Sequence, residues 1–238
     1  MALGKLVYGG IDSDDYGVYV LDATVDNGVS RDVSYITIPG RSGSLAIDNG
    51  RFENGSVSYR CAIVEDAKDS YHDYVAALSS LVGYQRLEDE IYDDYFRMAI
   101  FQPQMEPRMF DDRNKSIFSL SFNCKPQKYL KSGEQETTLS QDGTLTNPTQ
   151  FDSKPLLRIY GKGSVMIGSH TITVLQSFTH SYIDVDCEMM DAFYGSTNCN
   201  QYISVEGNEF PALHPGDNGV DLGTGVTQVK IKPRWWTV

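Results

Sequence analysis

Apolar and polar residues alternate over short runs along most of this chain. "LVYGGIDSDDYGVYVLDATV" has Val, Tyr, Leu and Ile runs broken by Gly and Asp, and "DVSYITIPG" alternates until it stops at Pro-Gly. "SVSYRCAIV", "YFRMAIFQP" and "SIFSLSFNCKP" are each short, rich in β-branched and aromatic residues, and bounded by turn formers. The same style returns later in "PLLRIYG", "SVMIG", "HTITVL", "SYIDVDCEM", "NQYISVEG" and "VTQVKIKPRWW". Short strands separated by turn signals predict sandwiches. One segment departs from the pattern. From Asp69 to Gly83 the apolar residues are Tyr71, Tyr74, Val75, Leu78, Leu81 and Val82, which fits the helical period. Asp69 or Ser70 is placed to cap the first turn, and Gly83 to end the last. The spacing predicts a single long helix lying across a sheet with its Tyr/Leu face inward.

The stretch from Lys131 to Pro155 is polar and rich in turn formers, with only Leu139, Leu145 and Phe151 to anchor it. It predicts a boundary: a first domain over 1–130, a linker over 131–146 and a second domain over 147–238. The expected fold is mainly β. A β-sandwich-like N-terminal domain carries the long helix, and a β-sandwich follows it.

Composition narrows the function classes. The 238 residues are 40% hydrophobic and 22% charged, close to ordinary globular values. No run approaches the ~18 apolar residues of a membrane helix, so no membrane insertion is expected. The opening residues show no basic stretch followed by an apolar one, so no signal peptide is expected. The net charge is −12. Up to Leu130 there are 13 basic and 20 acidic residues, and beyond it 7 and 12, so the two parts carry −7 and −5. Nucleic-acid affinity rests on Lys and Arg, and neither part has the surplus for sequence-specific binding. Cys61, Cys124, Cys187 and Cys199 include no C-x-x-C pair, so no zinc site is expected and free buried thiols are.

"PGRSGSLAIDNGRFENGS", Pro39 to Ser56, is the most unusual stretch. A phosphate loop needs a Gly-Lys-Ser/Thr ending before a helix, which is missing here. A calcium loop needs oxygen ligands at alternate positions, whereas Asp48 and Asn49 are adjacent and Arg51 would sit among them. A tight turn at Asp48-Asn49-Gly50 fits better, because Asn-Gly tolerates positive φ. Asp26-Asn27-Gly28 and Asp217-Asn218-Gly219 repeat the device between strand-like runs. "IDVDCE" places Asp184, Asp186 and Glu188 on one strand face. They could bind a metal, but the regular alternation with Ile183, Val185 and Cys187 predicts a solvent-exposed acidic face over a buried apolar one. His72, His170, His180 and His214 form no zinc-helix motif, and no G-x-S-x-G elbow is present. Neither a catalytic site nor a cofactor is expected. Trp235 and Trp236 would point to opposite faces of a strand, so at most one could stack on a sugar, and a structural or interface role suits the pair better.

"IPGRSGSLAIDNGRFEN", "SLVGYQRLEDEIYDDYFRMAIF", "FNCKPQKYLKSGE", "NPTQFDSKPLLRIYGKG", "IDVDCEMMDAFYG", "FPALHPGDNGV" and the closing "VKIKPRWW" follow one another in an order that resembles the distal tail protein, Dit, of long-tailed phages of Gram-positive hosts. The ordered set covers nearly the whole chain and ends in Pro233, Arg234, Trp235 and Trp236, which the resemblance marks as a structural motif. It implies a non-enzymatic hub at the distal end of the virion tail, made in the host bacterial cytoplasm. Six copies would form a ring around a channel, built by the N-terminal domain, with a galectin-like C-terminal domain pointing outward. The ring would join the tail tube and tape-measure end to the tail-associated fibre or lysin, and often to receptor-binding proteins. A hairpin containing Arg41, Asp48, Asn49, Gly50 and Arg51, turning at Asp48-Asn49-Gly50, is expected to join neighbouring subunits, with the two arginines reaching carboxylates next door. Part of the negative charge is expected to line the channel, where it keeps DNA from adhering. The chain has no room for the large carbohydrate-binding insertions of some relatives. The alternative reading is a carbohydrate-binding module that recognises host wall polysaccharide.

Overall fold

The computed structural model describes residues 4–65, 67–103, 108–110 and 114–238. The chain divides into two compact units, one running to Lys128 and including Val238, the other spanning Tyr129–Thr237. Both are built from strands, and no described helix is long and apolar enough to cross a membrane.

The first unit contains β1 (Leu6–Tyr8), β2 (Ile11–Asp12), β3 (Val18–Asn27), β4 (Arg31–Thr37), β5 (Ser44–Phe52), β6 (Gly55–Ile63), α1 (Ala67–Ser80), β7 (Gln85–Asp89), β8 (Tyr95–Gln102), β9 (Arg108–Phe110) and most of β10 (Lys115–Leu130). All but β4 and β5 join one sheet ordered β2-β1-β7-β8-β10-β6-β3, with β9 beside β10. Gly4, just before β1, exchanges backbone hydrogen bonds of 3.0 and 2.8 Å with Val20 of β3. The sheet therefore curls back toward its own far end, and its inward face packs on itself. Alternation decides that face. Val57, Tyr59, Cys61 and Ile63 on β6 and Phe118, Leu120, Phe122 and Cys124 on β10 are all buried. Their register sets Phe118 against Cys61, Leu120 against Tyr59 and Phe122 against Val57. The Phe122 ring lies 5.1, 5.8 and 5.4 Å from those of Tyr8, Tyr59 and Phe101, distances at which aromatic pairs attract.

Helix α1 adds Tyr71, Tyr74 and Leu78 to this core, and Tyr71 meets Phe118 edge-on at 5.0 Å. The helix starts before Asp69 and Ser70, so neither caps it. It also stops at Ser80, where the Ser80 hydroxyl donates to the Ala77 carbonyl at 2.7 Å and competes with the helical ladder. Val82, expected on the inward face, lies past that end and is 88% exposed. Gly83 is left-handed, with φ 75°, but in the connection to β7 rather than at the helix end.

One charge pair is enclosed in the first unit. Asp89 accepts from the Tyr59 hydroxyl at 2.6 Å and from the Tyr92 amide at 2.7 Å, and Arg97 lies 3.6 Å from it. Both side chains are almost wholly shielded from solvent.

The second unit contains β11 (Thr137–Leu139), β12 (Gly143–Asn147), β13 (Leu156–Gly161), β14 (Gly163–Ile167), β15 (His170–Val174), β16 (Tyr182–Asp186), β17 (Asp191–Tyr194), β18 (Thr197–Asn198), β19 (Ile203–Val205), β20 (Gly216–Leu222), β21 (Val226–Lys232) and β22 (Trp236–Thr237). Two sheets, ordered β11-β21-β13-β16-β17-β18 and β12-β20-β14-β15-β19, face each other as a sandwich. Leu157, Ile159, Ile183, Val185, Val229 and Ile231 from one sheet meet Val165, Ile167, Ile172, Val174 and Val220 from the other. The expected linker over 131–146 is corrected here: β11 and β12 lie within it and pair with β21 and β20. Both are end strands of their sheets, where polar side chains are the rule, and their composition therefore imitates a linker.

The acidic face of "IDVDCE" is also corrected. Ile183, Val185 and Cys187 point into the core as expected, but Asp184 and Asp186 are buried as well. Arg158 grips Asp184 through Nε and Nη2 at 2.7 and 2.9 Å, and Arg234 grips Asp186 through Nη1 and Nη2 at 2.8 and 2.8 Å. Arg234 has φ 60°, an uncommon conformation for a side-chain-bearing residue. Its amide donates to the Gly133 carbonyl at 2.8 Å. A Cβ on Gly133 would lie 2.3 Å from the Trp235 nitrogen, so only glycine lets the two backbones approach. All four cysteines are free and buried.

Two expectations follow. Asp89→Ala leaves Arg97 buried without its carboxylate and should destabilise the first unit by about 3–5 kcal/mol, read from the urea midpoint. A loss below about 1 kcal/mol, the scale of an exposed pair, would show that the enclosed pair is not a fixed part of the core. The second concerns Asp186. Burial would raise its pKa, but the bonds from Arg234 and from the Met189 and Glu188 amides outweigh this and hold it below 3.8. A depressed folded pKa contributes stability above the unfolded value and loses it as pH falls through the folded one. The stability of the second unit should therefore decline below about pH 4, and Arg234→Gln should flatten that decline. Urea midpoints measured across the acid range decide the matter, and equal slopes in the two proteins would refute it.

Candidate functional site

Strands β4 and β5 form a two-stranded sheet that, among the described residues, pairs with no other strand. Their turn lies over 38–43, between Thr37 and Ser44, with Gly40 and Gly43 at φ 80° and 81°. This corrects the turn expected at Asp48-Asn49-Gly50. That triplet is inside β5, at a bulge: Arg31 stands opposite Phe52 and Val33 opposite Asp48, so Asp32 alone faces residues 49–51. Gly50, at φ 73°, takes the left-handed position such a bulge requires. The other two triplets are not turns either. Asn27 ends β3 and Gly28 opens the connection to β4, while the side chains of Asp26 and Asn27 lie outside the described residues. Asp217-Asn218-Gly219 lies within β20, where the buried Asn218 amide donates to the His214 and Gly216 carbonyls at 2.8 and 2.9 Å. Asn-Gly was read for its tolerance of positive φ, yet among these three only Gly50 uses it.

The bulge is held by polar cross-links. Asp48 accepts from the Gly50 amide at 2.8 Å and from Arg31 Nη1 at 3.1 Å. Asn49 Nδ2 donates to Asp32 Oδ1 at 2.9 Å and to Ser34 Oγ at 3.1 Å, and Arg51 Nε donates to Asp32 Oδ2 at 2.7 Å. Asn49 and then Arg51 hold the Asp32 carboxyl below its ordinary pKa. Arg51, expected to reach a neighbour's carboxylate, thus has one in its own ribbon, because the bulge brings Asp32 under it. Arg41 sits exposed in the turn, and among the described residues its guanidinium pairs with no carboxylate.

Beyond the bulge the ribbon becomes apolar. Directly opposed residues share a face. Ile36, Leu45 and Ile47 lie on one face with Ser34, and Val33, Tyr35 and Ala46 on the other. Tyr35 is 72% exposed, Ile36 47%, Leu45 43% and Ile47 42%. An isolated two-stranded hairpin is marginal in water, and a contiguous exposed apolar patch marks an interaction surface. The signal was present in the sequence: "VSYITI" and "SLAI" carry apolar residues at both parities, which a half-solvated ribbon does not need.

The remaining candidates take structural roles. Trp235 is buried in the core of the second unit. Trp236 stacks on Phe151 at 4.5 Å and donates its indole N–H to the Asp152 carbonyl at 2.9 Å. His214 Nδ1 lies 2.9 Å from Asp152 Oδ1, but the adjacent Ser153 is buried and donates its hydroxyl to the Arg234 carbonyl at 3.2 Å. His170 faces Glu209 at 3.4 Å, and His180 stacks on Tyr194 at 4.2 Å. Among the described residues no three His, Cys, Asp or Glu side chains are grouped to hold a metal ion.

No protein-family model matches the chain, and no curated protein matches it by sequence. Solved structures do. The SPP1 Dit (gp 19.1) protein, described as a paradigm of the hub adsorption apparatus in Gram-positive-infecting phages, superposes with a TM-score of 0.70 over 100% of both chains at 13% identity. A chain of the phage P2 baseplate in its activated conformation with Ca superposes with a TM-score of 0.52, covering 97% of this chain and 98% of its own, at 12% identity. From end to end, this mainly β chain has the fold of the SPP1 distal tail protein.

Proposed function

We propose that this chain is a non-enzymatic hub of a phage tail tip. Six copies form a ring that joins the tail tube and the tape-measure end to the tail-associated fibre or lysin and the adsorption apparatus, and in the virion it occupies the distal end of the tail. The observation that carries this reading is the fold shared along the full length with a protein described as a hub of the adsorption apparatus. The arm formed by β4 and β5 supports the ring. It offers Ile36, Leu45 and Ile47 to a neighbouring copy and Arg41 to one of its carboxylates. Arg51, Asp48, Asn49 and Gly50 serve the arm's own geometry, so the contact roles belong to the apolar residues and Arg41. Part of the −12 charge lines the channel and keeps passing DNA from adhering.

Negative-stain microscopy and light scattering of the protein at high concentration should show six-fold rings. Ile36→Ser with Leu45→Ser should shift the population to monomers, with circular dichroism and melting unchanged, because neither residue belongs to a core. Rings that survive the double change would remove the arm from the interface, and a ring of another order would overturn the hexamer. Titration with host wall polysaccharide separates the carbohydrate-binding alternative: a hub shows no saturable binding, and saturation would favour the module.

A further inference from the structure

A ring built through the arm needs a surface that receives it, and the first unit carries one of matching character. Where β6 ends and β10 begins, Ala62, Ile63, Val64, Lys115, Ser116 and Ile117 line an open groove of about 360 Å³. The two strands run side by side there, with Ile117 opposite Ala62 and Ser116 opposite Ile63. Alternation explains the apolar lining. Cys61 and Ile63 on β6 and Phe118 on β10 are buried in the core, so Ala62, Val64 and Ile117 are turned the other way. Val64 and Ile117 are exposed. Ile100, on the neighbouring β8 between the buried Ala99 and Phe101, adds a further exposed isoleucine to that side of the sheet. Lys115 does not close the groove to aliphatic side chains, because a lysine stem lies along apolar surface while its charge stays in water.

The charges also match. On the arm, Ile36 and Leu45 stand opposite each other, and the turn just beyond them carries Arg41. At the groove, Val64 is followed directly by Glu65, which is exposed. Among the described residues Glu65 meets no cation and Arg41 no carboxylate. Each surface is an apolar stretch that ends in one unmet charge, and the two signs are opposite. Other exposed apolar residues lack this combination. Met189 and Met190 stand on a turn beside Glu188, and Arg234 already lies 3.6 Å from that carboxylate. Ile91 and Tyr92 stand on another turn, where Arg97 lies 5.4 Å from the centre of the Tyr92 ring.

We infer that this groove is the arm's acceptor: a second copy lays its Ile36 and Leu45 against Ala62, Val64 and Ile117 and pairs its Arg41 with Glu65. The inference rests on the ring proposed above and names the surface that the arm meets there. Arm and groove both stay exposed in the first unit, so a chain does not fill its own groove. They are different places on one chain, which makes the contact head-to-tail, the kind that closes into a ring when its rotation permits.

The test uses the full chain. Arg41→Cys with Glu65→Cys, mildly oxidised at a ring-forming concentration, should give a ladder of covalent oligomers in denaturing gels, and either change alone should give none. The native cysteines are buried and do not compete. Arg41→Glu or Glu65→Arg alone should raise the concentration needed for rings at least about tenfold, and the two reversals together should restore it. Val64→Ser should weaken ring formation with melting unchanged, since Val64 lies outside the core of its unit. Rings that give no ladder, single reversals without effect, or a doubly reversed chain that does not recover would overturn the groove and leave the ring standing. Cross-linking of Arg41→Cys to Asp93→Cys, in the acidic turn at 91–94, in place of Glu65→Cys would do the same. A wild-type chain that forms no ring at any concentration would overturn both.

Discussion

A two-stranded ribbon has no interior. Whatever apolar side chains it carries, its own fold cannot cover them, and that constraint separates the β4–β5 arm from everything else in the molecule. Each unit completes its core without it: the first around Phe122 and its neighbouring rings, the second between two sheets. The arm keeps Ile36, Leu45 and Ile47 on one face and Val33 and Tyr35 on the other, and among the described residues each strand has a free edge. Exposed apolar surface on both faces of an otherwise solvated ribbon is costly in water and gains its stabilisation when another surface covers it. Folding leaves this surface unsaturated, and in the proposed ring a neighbouring copy would cover it.

The regular parts of the fold were legible in the chain because they depend on nearest neighbours. Alternation in "SVSYRCAIV" and "SIFSLSFNC" identified the inward faces of β6 and β10, and the spacing from Tyr71 to Leu78 identified α1. The misread features depend on partners distant in sequence. Polar residues between 131 and 146 become end strands because β21 and β20 accept them. Asp184 and Asp186 look like a solvent face until Arg158 and Arg234 are brought across. Asn-Gly signals a backbone that tolerates positive φ, but only the register of β4 against β5 decides that Gly50 makes a bulge rather than a turn. The hairpin was expected to turn at Asp48-Asn49-Gly50, whereas the chain turns between Thr37 and Ser44, and the bulge pairs Arg51 and Asp48 within the ribbon.

Charge buried inside the two units is paired. Asp89, Asp184 and Asp186 are buried, and each is met by an arginine. Breaking any one pair leaves a buried charge, so these contacts fix geometry more than they add net stability.

The arm itself is graded along its length, and the grading bears on how it acts. At the root, Arg31, Asp32, Asp48, Asn49 and Arg51 form a polar lattice around the bulge. The middle is apolar, and the turn presents Arg41. A lattice of short cross-links at the root restricts the swing of the outer part, which lowers the entropy lost when that part docks. In the proposed ring the apolar middle would supply the gain on docking, and Arg41 at the tip would supply direction, because it favours a surface with a carboxylate at a matching place. A ribbon that was apolar throughout would lack the register to bind one surface in one pose, and one that was polar throughout would lack the reason to bind at all.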